Sequence, residues 1–339
     1  MPVAAVLCKS SVSYNLALLT QVSALPLYQL PLSPQATMNF LSSNSSLEGL
    51  DCDLFPAIRL WIKRDDLLHP VVSGNKFRKL KYPLRHAQQQ GLALASMGGL
   101  WSNHLHALAF ASRAAGLASF ALVRGHLNAS KELPASLADC VAQGMQLRFV
   151  DRIAYRRLRE ENDYWKTWLT APLPPMLWLP EGGSSPLAVQ GMAELIAELD
   201  FIPEHIILPC GTGTSLAGLV AGLAGRSHVI GIACVNQASA MRTQVQELLA
   251  QTGFAHLNNF TILEGYEHGG FAKTSPALLA FCSQFTAQTS IELDAIYTGK
   301  MFYALKQLCE QNYFAKNSRV IAIHTGGLQG NRSGILGGK

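Results

Sequence analysis

From about residue 57 onward, short apolar runs alternate regularly with longer amphipathic stretches. The runs at 60–63, 93–97, 119–123, 147–150, 205–208, 229–235, 295–297 and 319–323 predict strands buried on both faces. Between them, 103–115, 131–144, 153–169, 187–199, 214–224, 239–252, 275–287 and 300–313 repeat apolar residues at helical spacing. Such alternation predicts an α/β fold of open parallel sheets with helices on both faces. Ligands of such sheets lie at the carboxyl ends of the strands. The strand-to-helix loops at 71–76, 98–103, 182–186, 210–215, 297–300 and 324–328 are therefore where chemistry is expected, and all are rich in Gly, Ser, Thr or Asn. Pro172, Pro174, Pro175 and Pro180, followed by Glu181-Gly182-Gly183, mark a domain crossing.

A chain of 339 residues with 49% hydrophobic and 14% charged positions is long and apolar enough for one large fold or two domains sharing a cleft. A net charge of +5, mostly scattered, argues against nucleic-acid binding and is compatible with a small anionic ligand. The seven cysteines (Cys8, Cys52, Cys140, Cys210, Cys234, Cys282 and Cys309) form no CxxC pair and no metal-like spacing, so they read as thiols in a reducing, cytoplasmic setting with no metal. Residues 10–47 carry no charge, and Lys9 with the following apolar residues loosely imitates a signal peptide; the apolar core is short and interrupted by Tyr14 and Asn15. Residues 206–225 are also uncharged, yet Pro209, the glycines and Thr212, Thr214 and Ser215 make them a loop entering a helix. No segment is expected to span a membrane.

Lys76, in Ser73-Gly74-Asn75-Lys76-Phe77-Arg78-Lys79-Leu80, falls at a strand-to-helix junction where an amine can be desolvated enough to form a Schiff base. Gly211-Thr212-Gly213-Thr214-Ser215 follows a buried-strand run and opens a small-residue helix, so its amides and hydroxyls suit a phosphate. The segment lacks the Gly-Lys-[Ser/Thr] ending of a nucleotide P-loop, and Leu216 breaks a GxGxxG fingerprint. In Gly98-Gly99-Leu100-Trp101-Ser102-Asn103-His104, Ser102 offers a hydroxyl for proton relay or attack, Asn103 an amide for a phenolic oxygen, and His104 support; a plain Ser-Asn helix cap explains Ser102 and Asn103 equally well. Tyr297 can stack on an aromatic ligand, and Thr298 and Thr325 can meet a ring nitrogen. Lys300 reads as a surface lysine at a helix start. Asp65 and Asp66, adjacent on a strand-like segment, orient the 71–78 loop at most.

Taken together and in this order, these motifs resemble the pyridoxal-phosphate (PLP) enzymes of the tryptophan synthase β-like superfamily, and within it the D-cysteine desulfhydrase / 1-aminocyclopropane-1-carboxylate (ACC) deaminase family. The similarity runs from Leu30-Pro-Leu-Ser-Pro34 to Gly327. It implies two α/β domains with the cofactor in the cleft between them: a large domain of 28–78 and 182–339, a small domain of 79–181, and residues 1–27 as an extension. It implies Lys76, with Asn75, as cofactor anchor, Asn103 near the 3′ oxygen, Gly211, Thr212, Gly213 and Thr214 on the phosphate, Tyr297 on the ring, and Thr298 and Thr325 near its nitrogen. Lys76, Ser102 and Tyr297 are then the expected catalytic residues, Trp101, Ser102, Asn103, His104 and Phe271 the expected substrate contacts, and a homodimer the expected assembly.

D-Cysteine has an α-hydrogen and a sulfur leaving group, so a base can start β-elimination; ACC has no α-hydrogen and needs a stronger electron sink. A carboxylate beside the pyridine nitrogen strengthens that sink and a hydroxyl does not. The deaminases of the family read Tyr-Glu-Gly-Lys and His-Leu-Gly-Gly where this chain has Thr298 and Thr325, which favours β-elimination of D-cysteine. Phe271, where the family has tyrosine, and Trp101, where it has glutamine, keep ACC deamination or cofactor binding without turnover as alternatives.

Overall fold

The structure, a computed structural model, describes residues 43–126, 132–170 and 172–333. The N-terminal extension and Leu30 to Pro34 lie outside the described residues. Strands β1 (Leu47–Leu50) and β2 (Ile58–Lys63) precede helix α1 (Asn75–Gln90), β3 (Ala93–Gly99), α2 (Asn103–Ala114), β4 (Ser119–Arg124), α3 (Ala135–Ala142), β5 (Gln146–Val150), α4 (Arg152–Glu160) and β6 (Met176–Leu179). There follow α5 (Pro186–Ala193), β7 (His205–Cys210), α6 (Thr214–Leu223), β8 (His228–Ala233), α7 (Ala238–Gln251), β9 (Phe260–Leu263), α8 (Pro276–Thr289), α9 (Thr298–Glu310) and β10 (Ser318–Ile323). They build a six-stranded sheet in the order β1-β2-β10-β7-β8-β9 and a four-stranded sheet in the order β5-β4-β3-β6. Every pairing is parallel except β1 on β2. Among the described residues no helix is long and apolar enough to cross a membrane.

The strands are apolar at successive positions because both faces are covered. In β7, Ile206 and Leu208 pack with Leu216 and Leu219 of α6 and Val245 of α7. Ile207 points the other way, among Phe285 of α8 and Phe302 and Leu305 of α9. The smaller sheet repeats the scheme, with Leu94 and Ala121 against Leu105 and Leu108 of α2, and Met97 and Leu122 against Tyr155 and Leu158 of α4. Each such buried side chain contributes about 1.5–3 kcal/mol.

Departures from expectation fall where tertiary contacts outweigh local pattern. β1, β6 and β9 are short strands at sheet edges; β6 lies in the proline-rich stretch read as a break, and the carbonyl of Pro175 pairs with the amide of Ala93 at 2.9 Å. Residues 295–297 form no strand, because the carboxylate of Asp294 takes the amides of Ile296, Tyr297 and Thr298 (2.9, 2.7 and 3.0 Å). The 153–169 helix ends at Glu160, and 187–199 divides into α5 and a 3₁₀ turn at Glu194–Glu198.

A buried charge network fixes the first turn of α1. Asp65, in a 3₁₀ turn after β2 rather than on a strand, accepts from Arg78 Nε and Nη2 at 2.7 Å each. Arg78 also donates to Glu198 (2.6 and 2.9 Å), which Lys63 reaches at 2.7 Å. Arg78→Met leaves buried Asp65 without its charge partner and Glu198 with Lys63 alone, and is expected to cost about 3–5 kcal/mol, read as a lower urea midpoint at unchanged m-value.

Candidate functional site

At the carboxyl ends of both sheets a cavity of about 1640 Å³ opens. Asn75, Lys76, Trp101, Ser102, Asn103, His104, Gly211, Thr212, Gly213, Phe271, Tyr297 and Thr325 all line it; Thr214 and Thr298 do not. All six loops singled out in the sequence reach this cavity or its immediate wall.

Gly74 enables the approach of α1. Its backbone (φ 65°, ψ −149°) suits glycine, and a Cβ there would overlap the carbonyl of Thr325. Its amide donates to Asp65 O at 2.8 Å, and that of Asn75 to Thr325 O at 3.2 Å. Lys76 Nζ donates to Asn75 Oδ1 (3.0 Å), while Asn75 Nδ2 donates to Ser215 Oγ (2.9 Å). Burial pulls the Lys76 amine down to about 8, with the Asp294 charge opposing part of the shift.

Lys79, one turn further on, also lines the cavity and is 3% exposed. Burial, then repulsion from Lys76, lowers its pKa well below normal, and no hydrogen bond or ion pair satisfies it among the described residues. A buried amine held in its neutral form and left without a partner can take up its proton when an anion is placed beside it, which makes this a place suited to an anion. The sequence contained its signal, a lysine at i+3 from Lys76 and hence on the same helix face, but the motif was read only through Lys76.

Ser102 accepts from the amide of Leu105 at 3.2 Å, so it caps α2 and still lines the cavity with its own proton uncommitted. The expected cap and the expected site role thus coexist. Behind it, Ser96 Oγ donates to Leu179 O at 2.7 Å and therefore accepts from His104 Nε2 at 2.9 Å, which leaves His104 Nδ1 bare, buried and unpartnered. Burial, then the charges of Lys76 and Lys79, keep this imidazole neutral.

The β7–α6 loop supplies glycines where atoms crowd: a Cβ on Gly211 would stand 3.2 Å from the Tyr297 ring. Thr214, which does not line the cavity, has its Oγ1 committed to two residues that do, donating to Ser184 Oγ at 2.9 Å and pairing with Thr212 Oγ1 at 3.0 Å. Thr298 is likewise turned inward, its hydroxyl donating to Asp294 Oδ1 at 2.8 Å. Asp294 is the acid that sequence reading missed. It is 1% exposed, burial raises its pKa, and four donors saturate it. Thr325 lines the cavity, and its hydroxyl makes no hydrogen bond among the described residues. Lys300, expected at the surface, is fully buried because its ammonium finds three backbone carbonyls.

Two desolvated amines and a glycine-lined helix start, gathered at the carboxyl ends of the two sheets, are what an enzyme needs to keep a phosphorylated aldehyde cofactor. The family model described as pyridoxal-phosphate dependent enzyme matches residues 48–326, and the chain belongs to that family. It is 27% identical over 292 residues to the bifunctional D-cysteine desulfhydrase/1-aminocyclopropane-1-carboxylate deaminase of Arabidopsis thaliana, covering 80% of this chain and 73% of the relative. It is 26% identical over 291 residues to the D-cysteine desulfhydrase of Yersinia pestis, covering 79% and 86%. A crystal structure described as an ACC deaminase homologue superposes with a TM-score of 0.71 at 23% identity, covering 89% of this chain and 97% of that one. The fold is thus tryptophan synthase β-like, and the cofactor is pyridoxal 5′-phosphate.

Proposed function

We propose that the protein catalyses β-elimination of D-cysteine with water to pyruvate, hydrogen sulfide and ammonia. The observation that carries this choice over ACC is Thr325 on the cavity wall, at a position where ring-opening deaminases carry another side chain, while Thr298 is turned to Asp294 and puts no carboxylate there. Thr325 brings a hydroxyl, and the Asp294 carboxylate is saturated by four donors. The name of the Yersinia relative supports the same reading, and that of the plant relative covers both reactions.

In this reading Lys76 anchors the cofactor and its freed Nζ takes the α-proton. The bound cofactor supplies an electron sink for the carbanion left at Cα. Gly211, Thr212 and Gly213 present amides to the phosphate with Lys79 as its counter-charge, Thr214 stiffens that loop through Ser184, and Asn75 fixes the resting Lys76. Asn103 addresses the 3′ oxygen, Tyr297 covers the ring, and Ser102 offers its uncommitted proton. Trp101, Ser102, Asn103, His104 and Phe271 shape the space for the amino acid, and the neutral His104 serves as an acceptor. Lys79→Met should weaken PLP by about 1.5–3 kcal/mol, roughly 10- to 150-fold, in an absorbance titration of apo-protein.

Large-domain segments 28–78 and 182–339 with a small domain of 79–181, residues 1–27 as an extension, a homodimer and a cytoplasmic location complete the proposal. The deciding assay compares pyruvate and sulfide from D-cysteine with ketobutyrate from ACC. Faster ketobutyrate release overturns the choice of substrate, and no product from either overturns the proposed function.

A further inference from the structure

Lys300 is the member of the Tyr297-Thr298-Gly299-Lys300 motif that the proposed reaction leaves unused. Its side chain is wholly buried. Nζ donates to the carbonyls of Cys234 at 3.2 Å, Glu267 at 2.8 Å and Gly270 at 2.9 Å. No carboxylate forms an ion pair with it among the described residues, so these three carbonyls satisfy its three protons.

Two of the carbonyls belong to one loop, and that loop is strained. His268 (φ 49°), Gly269 (91°), Gly270 (116°) and Ala272 (56°) all have positive φ, a costly arrangement for the two residues that carry a Cβ. Glu267 O also accepts from Gly270 N at 3.0 Å, and Gly270 O from Lys273 N at 3.2 Å. Two successive turns therefore share their carbonyls with one ammonium. Phe271, between them, is 50% exposed, lines the cavity, and has its ring centroid 6.3 Å from that of Tyr297. On the other side of the loop, Gly270 packs close enough to Asn236, another cavity residue, that a Cβ would stand 3.2 Å from its amide nitrogen.

We propose that Lys300 is a positioning residue for substrate selection: by gripping the carbonyls of Cys234, Glu267 and Gly270 it keeps the strained 267–272 loop in place, so that Phe271 forms a fixed wall of the cavity. This rests on the reading of the cavity as an amino-acid site. Methionine at position 300 would match the length and remove the three donors, leaving the turns without their common tie.

The test uses the PLP-loaded full chain. In Lys300→Met, amide hydrogen exchange at Gly270 and Lys273 should quicken by about tenfold or more, while the Gly211–Thr214 loop and the cofactor absorbance stay as in the parent. KM for the amino acid turned over should rise about fivefold with kcat within about twofold, and adding Lys300→Met to Phe271→Ala should raise KM no further. Unchanged exchange in the 267–273 loop, or a fall in kcat at constant KM, overturns the proposal. Should Lys300→Met fail to fold, Phe271→Ala alone decides: it should raise KM at unchanged PLP affinity, and an unaltered KM overturns it. If no amino acid is turned over, the proposed reaction fails while the exchange comparison still settles the role of Lys300.

Discussion

Lys76→Ala is expected to lose the covalent link to the cofactor and about 10³- to 10⁴-fold or more in turnover, since in the proposed reaction one side chain serves as both anchor and base. Borohydride reduction followed by peptide mass spectrometry should find pyridoxyl on Lys76 in the parent and on no lysine in the variant. A label on Lys79 in the parent would exchange the roles of the two amines. The depressed amine adds a pH signature. With a pKa of about 8, about a quarter of Lys76 is neutral at pH 7.5, against about one in a thousand for an ordinary lysine. Covalent capture of PLP by apo-protein should thus quicken with pH up to about 8 and level off above it. A rate still climbing at pH 10 would show that the amine is not desolvated.

Gly74→Ala is expected to be the most damaging single-methyl change in the chain. Its φ of 65° with ψ of −149° lies in a region that costs a non-glycine residue about 1–3 kcal/mol, and the new carbon would overlap the Thr325 carbonyl. Relief requires α1 to move away from the end of β10, which breaks the Asn75–Thr325 hydrogen bond and shifts Lys76. PLP affinity should fall by at least about tenfold together with a lower melting temperature. A variant that melts and binds like the parent would show that the 324–327 loop yields easily.

The elements legible in the sequence were those whose burial is symmetric. β3, β4, β7, β8 and β10 are apolar at successive positions because helices cover both sides. β1, β6 and β9 left little trace, since an edge strand is held by one neighbour and buries fewer side chains. The site loops were legible because glycine, hydroxyl and amide residues cluster where strands stop, and the cavity collects them. The roles of charged residues were not. Lys300 was placed at the surface, where lysine usually belongs, because a cage of three backbone carbonyls leaves no mark on side-chain sequence. Asp294 was passed over for the same reason: its partners are mostly amides. Thr298 was read rightly as a hydroxyl and wrongly as facing the cavity, because that hydroxyl is committed to Asp294.

β2 pairs with β10, so the strand leading to Lys76 gains that neighbour only after nearly all of the chain has been made. The Asn75–Thr325 contact closes at the same late moment. During synthesis Lys76 therefore emerges early and stays without its final setting until β10 arrives. A chain cut short before residue 318 should be unable to load PLP, which makes cofactor uptake a report on whether β10 has been made.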